Sequence, residues 1–145
     1  MLGLPILMLA QQKVMFTDVA ATSGIDFKYT FGDYHYENIL ESSGSGITVF
    51  DYNNDGLMDL FMMSGTYLEG ISDEEGKKFI NSRDRLYKNN GDGTFAERSQ
   101  ELGLDDASQG RGVACFDYDR DGDLDIFIAN FGTKPRLYRN AGGNK

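Results

Sequence analysis

The sequence lacks several features that mark common classes of protein. It has one cysteine, Cys115, so no disulfide can form within the chain, and its apolar surroundings predict a buried thiol. Its one histidine, His35, has no thiol or second histidine nearby in sequence, which argues against a zinc site and favours a loop histidine flanked by tyrosines. No apolar run approaches the roughly 20 residues of a membrane span. The basic residues form no stripe, which argues against nucleic acid as a partner.

The acidic residues, in contrast, are concentrated in two places. The chain of 145 residues carries a net charge of −9, and eight of its 23 acids lie within residues 51–59 and 117–125. Without these eight, 15 acids remain against 14 bases. Hydrophobic residues make up 40% of the chain and aromatic residues 12%, which indicates one folded domain with a core and not a disordered acidic tail.

The two acidic stretches have the same pattern. The first reads D-Y-N-N-D-G-L-M-D and the second D-Y-D-R-D-G-D-L-D, with oxygen-bearing side chains at positions one, three, five and nine and glycine at position six. A hard divalent cation needs several oxygens that converge from a tight turn, so we predict one calcium site in each loop. The predicted ligands are Asp51, Asn53, Asp55, Leu57 (through its carbonyl) and Asp59, and Asp117, Asp119, Asp121, Asp123 (through its carbonyl) and Asp125.

An EF-hand is the nearest alternative for these loops. It requires a glutamate at position 12 and flanking helices, whereas position 12 here is Met62 or Ile128 and the flanks have the pattern of strands. Magnesium fits less well because it keeps several waters, and zinc prefers sulfur and nitrogen ligands. The second loop carries more ligand charge than the first, so we expect it to fill first.

Each loop belongs to a longer repeat. Residues 44–61 and 110–127 align without a gap at an offset of 66, and nine of the eighteen positions are identical. Short apolar runs flank each loop and are typical of strands buried on both faces. R-L-Y-K-N at 85–89 and R-L-Y-R-N at 136–140 follow at an offset of 51, and N-G-D-G-T predicts a hairpin that leads to a fourth strand at 95–98. Four short antiparallel strands per unit predict an all-β fold built from β-propeller blades.

The predicted organisation has three parts. Residues 1–12 are similar to a signal peptide, residues 13–91 form a first blade with a surface insertion at 66–83, and residues 92–145 form a second, truncated blade. Before the first repeat, alternating patterns predict strands at 14–19 and 25–31. Propellers use about four to eight blades, so we expect an incomplete propeller with further blades downstream.

The motifs resemble a known family. F-D-Y-D-R-D-G-D-L-D-I-F, together with the L-Y-x-N and N-N-G-D-G-T-F segments, is similar to the FG-GAP/VCBS repeats of integrin-α-like propellers. F-T-D-V-A-A-T-S-G-I-D-F and Y-E-N-I-L-E-S-S-G-S-G-I-T-V-F-D-Y resemble the start of the propeller in proteins of the cartilage acidic protein type. Asn53 and Leu57 depart from this pattern, since they replace acids that are commoner at their positions.

The resemblance implies repeats that bind calcium and a secreted or periplasmic, non-catalytic scaffold for adhesion, with an unidentified protein or glycan partner. Two alternatives stay open. One is part of a propeller polysaccharide lyase or hydrolase that carries structural calcium. The other is a carbohydrate-binding module that uses the aromatic cluster around Tyr34 and Tyr36.

Overall fold

The computed structural model describes residues 14–29, 46–72, 74–80 and 82–143. The signal-like segment 1–12 and the predictions for His35, Tyr34 and Tyr36 lie outside these residues. The described part contains a short helix, a 3₁₀ helix and seven strands. They are α1 (Ala20–Ser23), β1 (Ile47–Phe50), β2 (Asp59–Met62), the 3₁₀ helix Glu74–Phe79, β3 (Arg85–Asn89), β4 (Phe95–Glu97), β5 (Gln109–Phe116), β6 (Asp125–Phe131) and β7 (Arg136–Tyr138). Neither of the two helices is long and apolar enough to cross a bilayer.

The strands form two antiparallel sheets. The first has the order β1-β2-β3-β4 and the second the order β5-β6-β7. In the first sheet Thr48 pairs with Phe61, which pairs with Leu86. The second sheet repeats this register, because Ala114 pairs with Phe127 and Phe127 with Leu137. The predicted all-β class and antiparallel blades of an incomplete propeller are confirmed, and the acidic loops are the β1–β2 and β5–β6 connections.

The hydrophobic core lies between the two sheets. Because side chains alternate along a strand, each sheet has two faces. We call the face of Thr48, Phe50, Phe61 and Leu86, with its counterpart Ala114, Phe116, Phe127 and Leu137, the forward face. The opposite face is the rear face, with Ile47, Val49, Leu60, Met62 and Tyr87 in the first sheet and Val113, Cys115, Ile126, Ile128 and Tyr138 in the second.

The forward face of the first sheet packs against the rear face of the second. Phe50, Phe61 and Leu86 share one buried cluster with Ile126 and Ile128. Across the same junction the Thr48 hydroxyl donates to the Cys115 Sγ at 3.7 Å. The two sheets therefore stack head to tail, with different faces in contact.

Close packing at this junction requires glycine. Met63 is fully buried between Gly46 and Gly110, and a Cβ on either glycine would clash with the Met63 side chain. One glycine near the start of each repeat, at the third position in the first and the first position in the second, therefore makes room for the Met63 side chain.

Two expectations from the sequence are wrong. The strands predicted at 14–19 and 25–31 do not form among the described residues, where 14–19 and 25–29 are irregular and Ala20–Ser23 is helical. A strand needs a partner, and these segments pair with none that the structure describes. The flanks of the first loop are also not buried on both faces, since Ile47 and Val49 on the rear face are exposed.

Candidate metal centre

The carboxylate at position one holds the backbone of each loop. Asp51 accepts hydrogen bonds from the backbone N–H groups of Asp55 at 3.1 Å and Gly56 at 2.8 Å. Asp117 accepts the same two bonds from positions five and six of the second loop, at 3.1 and 3.0 Å. The first aspartate thus closes the turn and fixes where the later oxygens lie.

The sharp turn explains two other positions of the pattern. The backbone has positive φ at position four, with 57° at Asn54 and 65° at Arg120, and at position six, with 83° at Gly56 and 91° at Gly122. Glycine adopts such angles without steric cost, and asparagine tolerates them better than most residues. Arg120 is the one residue of the four that is neither glycine nor asparagine, and we have no local explanation for its positive φ.

The carboxylate at position nine ties the loop to the third strand. Asp59 and Asp125 are fully buried, and each accepts from the backbone N–H of position two of its own loop, at 3.2 and 3.0 Å. Their second oxygens accept from the backbone N–H of Asn89 at 2.8 Å and Asn140 at 2.7 Å. Burial raises the pKa of Asp59 above its ordinary value, although these two hydrogen bonds oppose the shift.

Asn89 and Asn140 were not recognised as site residues from the sequence. The Asn89 side chain donates to the carbonyl of Met58 at 3.0 Å, and that of Asn140 donates to the carbonyl of Leu124 at 3.4 Å. The repeated L-Y-x-N motif was the available signal. It showed that the asparagine recurs, but only the fold shows that it reaches the loop.

The two loops differ in how their oxygen atoms are arranged. In the second, one carboxylate oxygen from each of Asp117, Asp119 and Asp125 lies within 4.8 Å of the others. In the first, Asn53 stands at position three, and its Nδ2 donates to Asp55 at 2.9 Å. The Asn53 Oδ1 is buried and has no hydrogen-bond partner among the described residues. A buried oxygen without a partner is costly, and a bound cation would satisfy it.

A basic side chain lies against the carboxylates of each loop. Lys88 Nζ is 2.7 Å from Asp55 Oδ2, and this contact is the main reason that the pKa of Asp55 falls to about 2. Arg139 holds two carboxylates, with Nε 2.7 Å from Asp119 and Nη2 3.4 Å from Asp121. These residues occupy the variable position of the L-Y-x-N motif, and no pattern in the sequence predicts that they lie against the loops.

The two loops lie side by side. The Asn140 side chain donates to the carbonyl of Tyr52 at 2.7 Å, and the Asn54 side chain donates to the carboxylate of Asp123. The Asp123 side chain therefore faces the neighbouring loop. The backbone N–H groups of Leu57 and Asp123 donate to the carboxylates at position five, and the ligand role of the carbonyls at position seven stays a prediction.

These donors suit a hard cation. The three side chains that converge in the second loop present carboxylate oxygens, which calcium prefers, and Asn53 of the first loop has a buried amide oxygen. The helical alternative is excluded, because Met62 and Ile128 lie in β2 and β6 and strands flank both loops.

Comparison with known proteins agrees with this arrangement. Residues 79–128, from the end of the 3₁₀ helix through the second loop into β6, match the family of FG-GAP-like repeats. The chain carries an FG-GAP-like repeat. The second acidic loop lies wholly inside the matched residues, so the loop geometry described above belongs to an FG-GAP-like repeat.

Curated relatives match a larger part of the chain than these residues. Cartilage acidic protein 1 of Homo sapiens is 34% identical over 122 residues, which is 83% of this chain and 14% of that protein. The protein of the same name from Xenopus tropicalis is 33% identical over 126 residues, covering 86% of this chain and 15% of that protein. The chain thus spans about one seventh of the length of these relatives. The resemblance predicted from the sequence is confirmed.

Proposed function

We propose that this chain is a calcium-binding, non-catalytic part of an integrin-like extracellular repeat protein. One observation carries the proposal. Two loops separated by 66 residues hold their carboxylates with the same backbone hydrogen bonds, at positions one and nine, and so present oxygens from equivalent positions. In the first loop the buried Asn53 oxygen has no hydrogen-bond partner among the described residues, and in the second three carboxylates converge; both observations support a bound cation.

Calcium would act here as a structural tie. Each loop joins two strands, and its position-nine carboxylate accepts a hydrogen bond from the asparagine at the C-terminal end of the third strand, which is Asn89 within β3 or Asn140 just after β7. Carboxylates this close repel one another, and a divalent cation between them removes the repulsion. An ion that binds only the folded state stabilises it by mass action, by about 2.7 kcal/mol at a hundredfold excess over Kd.

Thermal unfolding with and without calcium tests the proposal. We expect EDTA to lower the melting temperature and calcium to restore it, with magnesium much less effective. A double variant with Asn53→Ala and Asp119→Ala removes the side-chain oxygens at position three of both loops. It keeps the hydrogen bonds that the carboxylates at positions one and nine accept from the backbone. This variant should lose the response to calcium. An unchanged melt in the unmodified chain, with no calcium found by elemental analysis, would contradict the proposal.

The wider role follows from the relatives. Proteins named cartilage acidic protein 1 match most of the chain, which supports an extracellular location and a scaffold that binds a protein or glycan. Residues 1–12 fit a signal-like segment, followed by repeats proposed at 13–91 and 92–145. The sheet pairing adds that β4, after residue 91, completes the first sheet. A polysaccharide lyase or hydrolase would instead turn over members of a glycan panel, and we expect no turnover.

A further inference from the structure

The turn between β3 and β4 contains the one Asn-Gly pair of the sequence, Asn90 and Gly91. An asparagine followed by glycine is prone to deamidation, because the glycine nitrogen attacks the side-chain amide and no Cβ on the glycine hinders its approach. Both residues are exposed, and β3 ends directly before them. The turn therefore holds the two reactants of a cyclisation at the surface of the chain.

The fold requires glycine at position 91. The φ angle of Gly91 is 78°, which glycine adopts without steric cost. A Cβ at this position would also lie 3.2 Å from the Cδ1 atom of Leu57, in the first acidic loop. Another residue would be strained here, so the turn keeps the residue that makes Asn90 reactive.

Two side-chain hydrogen bonds hold the reactants apart. The Gly91 N–H donates to Asn89 Oδ1 at 2.9 Å, which engages the nitrogen that would attack. The Asn90 Nδ2 donates to Thr94 Oγ1 at 3.0 Å, and that hydroxyl donates to Asp92 Oδ1 at 2.6 Å. Each such bond contributes only a modest net free energy in water. The two bonds therefore slow the cyclisation and do not abolish it.

The second repeat provides a comparison within the same chain. The Gly142 N–H donates to Asn140 Oδ1 at 3.1 Å, which is the same bond as in the first turn. The residue between them is Ala141, so no asparagine precedes the glycine. The second turn thus has the same backbone frame without the reactive pair, and the Cβ of Ala141 hinders attack on Asn140.

We propose that Asn90 is a site of spontaneous deamidation, and that the hydrogen bonds of Asn89 and Thr94 set its rate. The Gly91 nitrogen bonds to the Asn90 Cγ, the bond from Cγ to Nδ2 breaks, and the proton of the Gly91 nitrogen leaves with Nδ2 as ammonia. A succinimide ring remains. Water then opens the ring at either carbonyl. The product is aspartate when the new C–N bond breaks and isoaspartate when the original peptide bond breaks.

Either product changes the turn. Aspartate cannot donate to Thr94 Oγ1 and competes with Asp92 for that hydroxyl, and it adds a negative charge to the chain. Isoaspartate also lengthens the backbone by one carbon, in a turn that the Asn90 N–H closes by donating to the Thr94 carbonyl at 3.0 Å. We expect isoaspartate to loosen β4, because β4 is held in the sheet by its pairing with β3. The inference does not depend on calcium binding.

Peptide mapping by mass spectrometry tests the site. The purified chain is incubated in mildly alkaline buffer made with heavy-oxygen water, since the attacking nitrogen must lose its proton. We expect Asn90 to lose ammonia and gain a labelled oxygen, with both aspartyl and isoaspartyl peptides formed. Asn140 in the same digest should remain an amide. Conversion at Asn90 that is no faster than at Asn140 overturns the proposal.

Substitution of Thr94 tests the control of the rate outside the acidic loop. Thr94→Val removes the hydroxyl that binds the Asn90 amide and should make deamidation about fivefold faster, the factor expected for loss of one hydrogen bond. Thr94→Ser keeps the hydroxyl and is the matched control, with the rate of the unmodified chain. Circular dichroism shows whether both variants are folded. Equal rates in the two folded variants overturn the role of Thr94.

Substitution of Asn89 tests the other bond. Asn89→Ala removes the acceptor of the Gly91 N–H and should also give about fivefold faster deamidation. Because the Asn89 side chain donates to the Met58 carbonyl as well, Asn89→Asp separates the two contacts. It keeps the acceptor and loses the donor, so we expect it to restore the slow rate. An Asn89→Asp chain that deamidates as fast as Asn89→Ala overturns the role of the acceptor.

Discussion

The two repeats hold the same loop in the same way and differ in the charge they place in it. In both, the aspartates at positions one and nine bind backbone N–H groups at matching distances. Position three changes from Asn53 to Asp119, and position seven from Leu57 to Asp123. The difference teaches that the hydrogen-bonded frame and the ligand charge are separate properties of the loop, so one can be altered without the other.

The repeats also differ at the ends of the strands away from the loops. Asp84 precedes β3 of the first repeat, and Pro135 takes the equivalent place before β7. Asp84 is buried, with one oxygen accepting from the Ser64 N–H at 2.9 Å and the other without a hydrogen-bond partner among the described residues. The first repeat therefore carries a buried acid that the second does without.

Removal of the position-nine carboxylate should have the largest effect, and it should be equal in the two loops. Asp59→Ala and Asp125→Ala each leave two backbone N–H groups without their acceptor, at a cost of about 1–3 kcal/mol per group. We expect the free energy of unfolding in urea, measured in EDTA, to fall by roughly 2 to 6 kcal/mol in both variants. Asp92→Ala, in an exposed turn, is the control. A large fall in the free energy of unfolding for one variant and none for the other would show that the two position-nine carboxylates do not stabilise their loops equally.

Asp84 should give the first repeat a pH dependence of its own. Burial, with a smaller contribution from Asp106, raises the pKa of Asp84 to about 7 from an ordinary 3.8, although Ser64 and Arg85 oppose the shift. The folded state then binds the proton more tightly than the unfolded state. Stability is highest below the unfolded pKa, falls as the pH rises through the folded pKa, and is constant above it.

Asp84→Asn should remove this dependence. The amide keeps an acceptor for Ser64 and cannot ionise, so we expect the variant to be more stable than the unmodified chain at pH 8 by about 3 to 4 kcal/mol, and nearly equal to it at pH 4. Urea unfolding in excess calcium across this range measures the difference. Parallel stability curves for the two proteins would show that Asp84 does not carry the charge penalty.

Exchange of the position-three residues should have the smallest effect and reverse the order of the two sites. We expect the second loop to bind calcium more tightly than the first because its ligands carry more charge. Asn53→Asp should tighten the first site and Asp119→Asn should weaken the second, each by about tenfold, or ~1.4 kcal/mol. Calorimetric titration of chains with one loop disabled separates the sites. A first loop that already binds more tightly in the unmodified chain would contradict the ranking by charge.

The sequence predicts the strands that have partners within the repeat. Ile47–Phe50 and Arg85–Asn89 form as expected, because alternation, apolar runs and an internal repeat agree. Residues 14–19 have the same kind of pattern and form no strand, since pairing depends on a neighbour that local sequence does not specify. Burial also depends on a neighbouring sheet that the local sequence does not specify. Phe50 and Phe116 are identical residues in equivalent strands, yet Phe50 is buried and Phe116 is exposed.

The sequence predicts the candidate ligands that lie together in one loop. Nine residues in one loop carry the carboxylates, and their spacing alone indicates a cation. Lys88 and Asn89 lie at the end of β3, and their counterparts Arg139 and Asn140 lie directly after β7. Asn89 comes 30 residues after Asp59, and Asn140 comes 15 residues after Asp125. Their roles depend on the sheet register, which brings the end of the third strand beside the loop.

The contact of Asn140 with the Tyr52 carbonyl has a consequence for motion. Asn140 caps the second loop through Asp125 and also binds the first loop. A fluctuation that opens the first loop and displaces that carbonyl removes one anchor of the residue that closes the second. The amides of both loops then share one subglobal opening, and hydrogen exchange at the base of one loop reports on the integrity of the other.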